Sequence, residues 1–399
     1  MRVCIHRRYL GTDRHLLLEG DRSLWSRSIP DDHWVLDTEE SDESPRDIRF
    51  LSRFLDAQID WEMPAPFLRA DEEAGVDATR HIHTVPRKAL QDHVCRLLRD
   101  AETLADRADD SYIISHLLSI RRQLGDVCGM RVDRALWDEA MSSDPSPQLA
   151  SFEPDDTGMC EPIRYDQIGT ITGRLTVSHG PQILTLRRDH RRILQPTRRG
   201  RRLLMVDFVS HEPRVALCLA GRTPPEDIYS WFRDEMMPGI TRDQAKSAII
   251  GTLYGMSAST LAEKLDCAMV QAKIVSESVR VAFGLVDLER KITAEHRATG
   301  RVMTHFGRSI RPSSSIPGVL VNAHIQGTAH DAAMAGFREI LSRLASEIVE
   351  VRAGAYIHDA VILDIPERDE GRLRDACAEA VKIDGLQGYL LPKVKEVTE

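Results

Sequence analysis

After residue 150 the chain alternates short apolar runs with long helix-forming segments, which restricts it to a sheet with helices packed against it, an α+β arrangement. Upstream, Arg87 to Leu124 is rich in helix formers and carries Leu90, Val94, Leu97 and Leu98 on one helical face. An acidic, Pro-bearing stretch from Asp37 to Asp47 reads as an exposed loop, and Ser142 to Gln148 (SSDPSPQ) as a break after a helical segment. These signals divide the chain into an N-terminal region over 1–141, a linker over 142–171 and a main domain over 172–399. At 399 residues, 42% hydrophobic and 29% charged, it can build two or three units with real cores, which excludes disorder and collagen-like repeats.

The longest apolar stretches, such as Val215 to Ala220, fall far short of the roughly 20 residues that cross a bilayer. The N-terminus places Arg and His where a signal peptide needs an apolar core, so a cytosolic location without membrane partners is expected. Seven singly spaced cysteines fit reduced thiols, and His81 and His83, the closest histidine pair, are too few for a structural zinc site.

Charge is distributed unevenly. The chain has 53 Lys and Arg against 62 Asp and Glu, a net charge of −9. Yet eight arginines fall between Arg187 and Arg202 (Arg187, Arg188, Arg191, Arg192, Arg198, Arg199, Arg201, Arg202) against one acid, Asp189. Such a run suits phosphate contact, because each guanidinium offers a bidentate fork and releases counterions from a polyanion. A solvated surface loop is the competing reading.

Three segments carry chemistry. Leu203 to Val206 has the pattern of a buried strand ending on Asp207, with Glu212 at the start of the following helix; this suits a metal-binding carboxylate, although such an Asp also serves in turns. Thr241 and Gln244 have capping-box spacing and Gly255 supplies a stop, predicting a helix of about 13 residues. On it, Arg242, Lys246, Ile250 and Tyr254 recur every fourth residue along one face. Two cations near a helix N-terminus oppose the dipole, a cost that an anion such as a triphosphate offsets; otherwise they are ordinary surface charges. In AYIHDAVILDIP, two apolar runs flank His358 and Asp359, placing a second carboxylate at a hairpin turn, with a solvent-exposed His-Asp turn as the competing reading. If that hairpin lies beside the strand ending at Asp207, the two carboxylates can share metal ions.

In this order the segments resemble the polymerase module of family A DNA polymerases. Thr172-Gly173-Arg174-Leu175 resembles the family's TGRL signature, and Asp207, Glu212 and Arg214 its DYSQIELR segment. Arg242, Lys246, Tyr254 and Gly255 fit the spacing of RxxxKxxxFxxxYG, while Asn322, Gln326, Gly327, Thr328 and Ala329 are similar to NxxxQGTA and His358-Asp359 to the HDE turn. The resemblance covers about residues 165 to 397. It departs at Phe208 for Tyr, Ile250 for an aromatic near the incoming base, Gly318 for an upstream Arg, and Ala360 for the Glu of the turn.

The resemblance implies a right-hand polymerase palm with helical fingers. Cys128 to Asp133 resembles the GMxVD-like stretch that precedes the family's thumb, but only 38 residues separate Asp133 from Thr172, so a reduced or absent thumb and low processivity are expected. Asp37-Thr38-Glu39 after Trp34-Val35-Leu36 looks like the opening of a 3′-5′ exonuclease, with Asp109 and Asp110 as later carboxylates; an eroded exonuclease-like fold and an unrelated acidic loop both stay open.

The implied reaction is attack of a primer 3′-OH on a dNTP with two Mg²⁺ ions, Mn²⁺ being the expected substitute. Asp207 and Asp359 are the metal ligands. Arg242 and Lys246 bind phosphates, with Lys246 also the proton donor, and Glu212, Ile250, Tyr254 and His358 complete the nucleotide site. Thr172, Arg174, Arg187, Arg188, Arg191, Arg192, Asn322 and Gln326 contact primer-template DNA, and a processivity partner supplies the missing grip. The alternatives are a single-subunit RNA polymerase, or an accessory nucleic-acid-binding protein that kept the fold and lost turnover.

Overall fold

The computed structural model describes residues 2–10, 12–20, 22–37, 44–59, 61, 87–109, 111–345 and 350–398. It divides into two compact units, Met1–Gly125 and Asp126–Glu399. Residues 126–141, grouped with the N-terminal region on sequence, lie in the second unit, where Arg131–Val132 pairs with Leu194–Gln195.

The first unit is built on β1 (Arg2–Ile5), β2 (His15–Glu19), β3 (Arg22–Ser26) and β4 (Trp34–Leu36), in the order β3-β2-β1-β4. The first three are antiparallel neighbours and β4 runs parallel to β1. Helix α1 (Ile48–Leu55) is capped by Asp47, whose carboxylate accepts from the Phe50 amide. The expected helical segment forms α2 (Arg87–Asp109) and α3 (Tyr112–Gly125). Of the predicted apolar face Leu97 is buried, Val94 and Leu98 are half-buried, and the Leu90 side chain lies outside the described residues.

Trp34–Leu36 is the expected strand, and it delivers Asp37 into a buried site where the carboxylate meets His6 Nδ1 at 2.9 Å and Arg8 at 2.8 Å. The buried Asp37 carboxylate is thus engaged by Arg8 and the His6 ring. Thr38, Glu39, His81, His83, Asp110 and the side chain of Asp109 lie outside the described residues.

The second unit opens with α4 (Arg134–Ser143), N-capped by Asp133. Between it and Thr172 stand only the four-residue helix Pro147–Ala150 and the strand Arg164–Asp166, so this span holds no long helical pair. Strand β5 (Arg201–Phe208) feeds α5 (His211–Leu219), followed by α6 (Arg242–Leu253), α7 (Ala258–Leu265), α8 (Met269–Ala282), α9 (Leu285–Thr299) and the long α10 (Pro317–Ala345). The hairpin β6 (Arg352–Ile357) and β7 (Ala360–Pro366), helix α11 (Glu370–Ala378) and β8 (Pro392–Glu396) complete it. The main sheet has the order β6-β7-β5-β8 with every neighbour antiparallel.

Burial explains why β5 is central. Leu203 to Val206 are all buried, as a strand covered on both faces requires. On one side Phe208 stacks on Phe337 of α10, ring centroids 4.8 Å apart. Gly336 makes that approach possible, since a Cβ there would sit 2.7 Å from the Phe208 ring. Replacement of the family's Tyr by Phe therefore leaves a well-packed ring. In the helical half, α6 turns Ala245, Ala248, Ile249 and Leu253 inward against Val275 and Val279 of α8, leaving Arg242 and Lys246 on its exposed side.

Candidate active site

Asp207 sits one residue before the end of β5, and Asp359 in the turn joining β6 to β7. Register fixes their proximity: Ala360 pairs with Asp207, and the Phe208 amide donates to the Asp359 carbonyl at 3.1 Å. Backbone strain flanks both, with φ of 49° at Ser210 and 54° at His358, a left-handed region costly for residues with a Cβ. Burial pushes the Asp207 carboxyl up and the Asp359 charge adds to that push, against the ammonium of Lys395, which bonds Asp207 and pulls it down. Two coupled carboxylates that already draw a cation fit a divalent metal.

The predicted capping box forms at Thr241 and Gln244, and α6 runs from Arg242 to Leu253. The whole stripe of Arg242, Lys246, Ile250 and Tyr254 lines one cleft of about 580 Å³ with Asp207, Asp359, Glu212, His358, Arg174 and Gln326. Arg242 lies over the Tyr229 ring and binds the Asp227 carboxylate at 2.9 and 3.3 Å. That guanidinium holds Asp227 down to about 2. Lys246 is exposed, with no carboxylate partner among the described residues. Arg174 bonds both Glu212 and the Tyr254 hydroxyl, the latter at 3.2 Å, joining three of the expected residues across 80 positions of chain. The His358 ring is pushed down by desolvation first, then by the Arg174 cation, with a smaller push from Arg191.

The TGRL turn is seated from below. Gly173 has φ +77°, and a Cβ there would lie 2.4 Å from the Arg308 guanidinium, which is itself locked onto Asp331 of α10 at 2.7 and 3.1 Å. Thr172 is buried at this junction. Asn322 donates to the Leu253 carbonyl at 3.1 Å, so its amide serves the end of α6.

The arginine run is not a uniform polyanion patch. Arg187 bonds Asp144 and Asp189, Arg192 bonds Glu139, Arg198 bonds Glu350, Arg201 is buried against Asp364, and Arg202 bonds Glu370 and Glu396. Among the described residues Arg188, Arg191 and Arg199 alone of the eight lack a carboxylate partner. Sequence reading credited the whole run because it cannot see acids supplied from distant positions.

Other cleft residues escaped it: Tyr229, His211, His330, Lys393 and Lys395. A signal existed for the lysines, because Lys393 and Lys395 are two apart and a strand puts such residues on one face. His211, whose Nε2 meets the Ala329 carbonyl at 2.7 Å, and His330 stand singly in sequence with no spacing that marks a site.

An antiparallel sheet presenting two carboxylates, facing a helix that carries Arg and Lys, is the palm-and-fingers architecture of a right-hand polymerase. Residues 147–387 match the model of DNA polymerase family A, and the chain belongs to that family. It is 23% identical to DNA polymerase I of Aquifex aeolicus over 55% of this chain and 42% of the relative. Against the thermostable DNA polymerase I of Thermus aquaticus it is 27% identical over 53% of this chain and 29% of that one. The chain thus spans less than half the length of these curated relatives. The polymerase domain of Pol1 from M. smegmatis, solved with DNA primer-template and dNTP, shares the fold at a TM-score of 0.65 and 16% identity, covering 96% of this chain and 91% of that one. Family A polymerases use divalent metal ions. No described helix is long and apolar enough to cross a membrane.

Proposed function

We propose that the chain is a template-directed DNA polymerase that adds dNTPs to a primer 3′-OH in the bacterial cytosol. The observation that carries this reading is the convergence of Asp207 and Asp359 with Arg242 and Lys246 on one cleft. Asp207 and Asp359 would hold divalent metal, Mg²⁺ with Mn²⁺ as substitute, which when bound would supply charge neutralisation for the primer hydroxyl and the departing pyrophosphate. Lys246, without a carboxylate of its own, takes the β- and γ-phosphates and gives its proton to the leaving group. Arg242 exchanges Asp227 for the triphosphate. Glu212, held by Arg174, backs the sugar and favours deoxynucleotides. Ile250 and His358 flank the nucleotide and Tyr254 the templating position.

Arg174 and Gln326 reach the minor groove near the primer end, where acceptors are largely sequence-neutral. Arg188 and Arg191 contact backbone phosphate; Arg187 and Arg192 support that surface through the carboxylates described above, while Thr172 and Asn322 lie on the DNA side of the TGRL turn and of α6. The short span from Arg134 to Ile171 offers little grip on duplex, so the enzyme is distributive unless a partner clamps it.

Extension of a labelled primer on a DNA template with Mg²⁺ tests the reading. Incorporation of dNTPs but not NTPs, in short products, is expected. Binding of primer-template with no addition in Mg²⁺ or Mn²⁺ assigns the chain instead to the accessory, non-catalytic class. The Asp227 pair gives a second expectation. Asp227→Asn keeps the cap that Asp227 supplies to the Tyr229 and Ser230 amides but releases Arg242. Because an exposed pair of this kind is worth about 0.2–1 kcal/mol, the KM for dNTP falls by up to about fivefold with kcat unchanged. Steady-state single-nucleotide incorporation measures both, and a raised KM contradicts the exchange.

A further inference from the structure

The carboxylate pair already has an occupant supplied by the chain. Lys395 projects from β8 and bonds the Asp207 carboxylate, its side chain 25% and that of Asp207 20% exposed, so the pair is largely shielded from water. The arrangement is built rather than incidental. Strand β8 pairs with β5 with Lys393 opposite Asp207, and the two-residue repeat of a strand puts Lys393 and Lys395 on one face, where both line the cleft. On the other flank, the residue paired with Asp207 is Ala360, which contributes a methyl group. The site therefore offers Asp207 and Asp359 as cation ligands, with one of those two negative charges met by an ammonium.

We propose that Lys395 is a resident cation that competes with divalent metal for Asp207 and yields to it only when a triphosphate is present. The inference rests on the metal-dependent reading above. A metal ion entering the cleft without nucleotide must strip Lys395 from Asp207 and leave an ammonium in a part-buried position without a counter-charge, which opposes loading. A triphosphate removes the penalty. Its phosphates give Lys395, with Lys393 beside it, a new anionic partner across the same cleft, while Asp207 is freed for the ion. Metal and nucleotide then bind with positive coupling, and the nucleotide-free enzyme holds little metal. Lys395 is a positioning residue here, acting through Asp207.

The test is binding of Mn²⁺ alone, followed by electron paramagnetic resonance, to wild type, Lys395→Gln and Lys395→Arg, each without nucleotide and with primer-template plus dNTP. Lys395→Gln is expected to bind Mn²⁺ about fivefold tighter than wild type without nucleotide, the upper end of what such a charge pair commands, and to show a correspondingly smaller gain on adding dNTP. Lys395→Arg keeps the charge and the wild-type affinity. Equal Mn²⁺ affinity in wild type and Lys395→Gln overturns the competition while leaving the metal reading intact. Absence of Mn²⁺ binding in every variant, even with primer-template and dNTP, overturns both. Thermal melts of the three proteins verify that the sheet is intact, and if Lys395→Gln fails to fold, a Mn²⁺ affinity of wild type that is unchanged by dNTP is sufficient to reject the coupling.

Discussion

Asp359→Asn is expected to reduce single-nucleotide incorporation by about a thousandfold or more while primer-template affinity changes by less than about threefold. The substitution is chosen because it isolates charge. Asn has the shape of Asp, and the turn that Asp359 occupies is held through its carbonyl, which accepts from the Phe208 amide whatever the side chain. What disappears is one of the two aspartates that converge on the cleft, and with it much of the site's attraction for divalent metal. Stability moves the other way. Asp359 raises the proton affinity of Asp207, so the folded state carries like-charge repulsion that Asn removes, and the variant melts no lower than wild type. Loss of turnover with undiminished melting temperature is the signature of a functional carboxylate. Incorporation within tenfold of wild type would remove Asp359 from the metal site.

How much of this site could be read from the chain depended on how far apart its parts lie in sequence. The stripe of Arg242, Lys246, Ile250 and Tyr254 was legible because helical periodicity is local and the capping box marks its start. Asp207 and the His358-Asp359 turn were legible for the same reason, each bounded by apolar runs of strand length. What faces those elements was not. Whether an arginine in the run from Arg187 to Arg202 is available depends on acids as remote as Glu350, Asp364 and Glu396, and the cation that meets Asp207 arrives 188 residues later. Local pattern fixes the type of an element, whereas the pairing of charges follows from sheet register and helix docking. The division of the chain was misplaced for a similar reason: the Pro-rich break after Ser143 is a loop within the second unit, and the compact units part at Gly125, where no turn cluster stands out.

Asp331→Ala is expected to destabilise the second unit by about 3–5 kcal/mol, the cost of leaving a buried guanidinium without its counter-charge. Arg308 is 3% and Asp331 0% exposed, and Nε and Nη2 of the guanidinium each donate to one of the two carboxylate oxygens. At about 2 °C per kcal/mol for a unit of this size, the melting temperature falls by roughly 6–10 °C. The pair also has a place in the site. The guanidinium of Arg308 is the surface against which Gly173 packs, and Gly173 aims Arg174 at Glu212 and Tyr254. A displaced Arg308 shifts the TGRL turn, so activity should fall at temperatures where the variant is still folded. The double variant Arg308→Met, Asp331→Leu separates the two consequences. Removing both charges abolishes the unpaired cation, so much of the stability returns, but the flat guanidinium under Gly173 is replaced by a flexible thioether chain and the Arg174 position is not restored. Recovery of the melting temperature without recovery of incorporation assigns the buried pair a positioning role, and recovery of both confines it to stability.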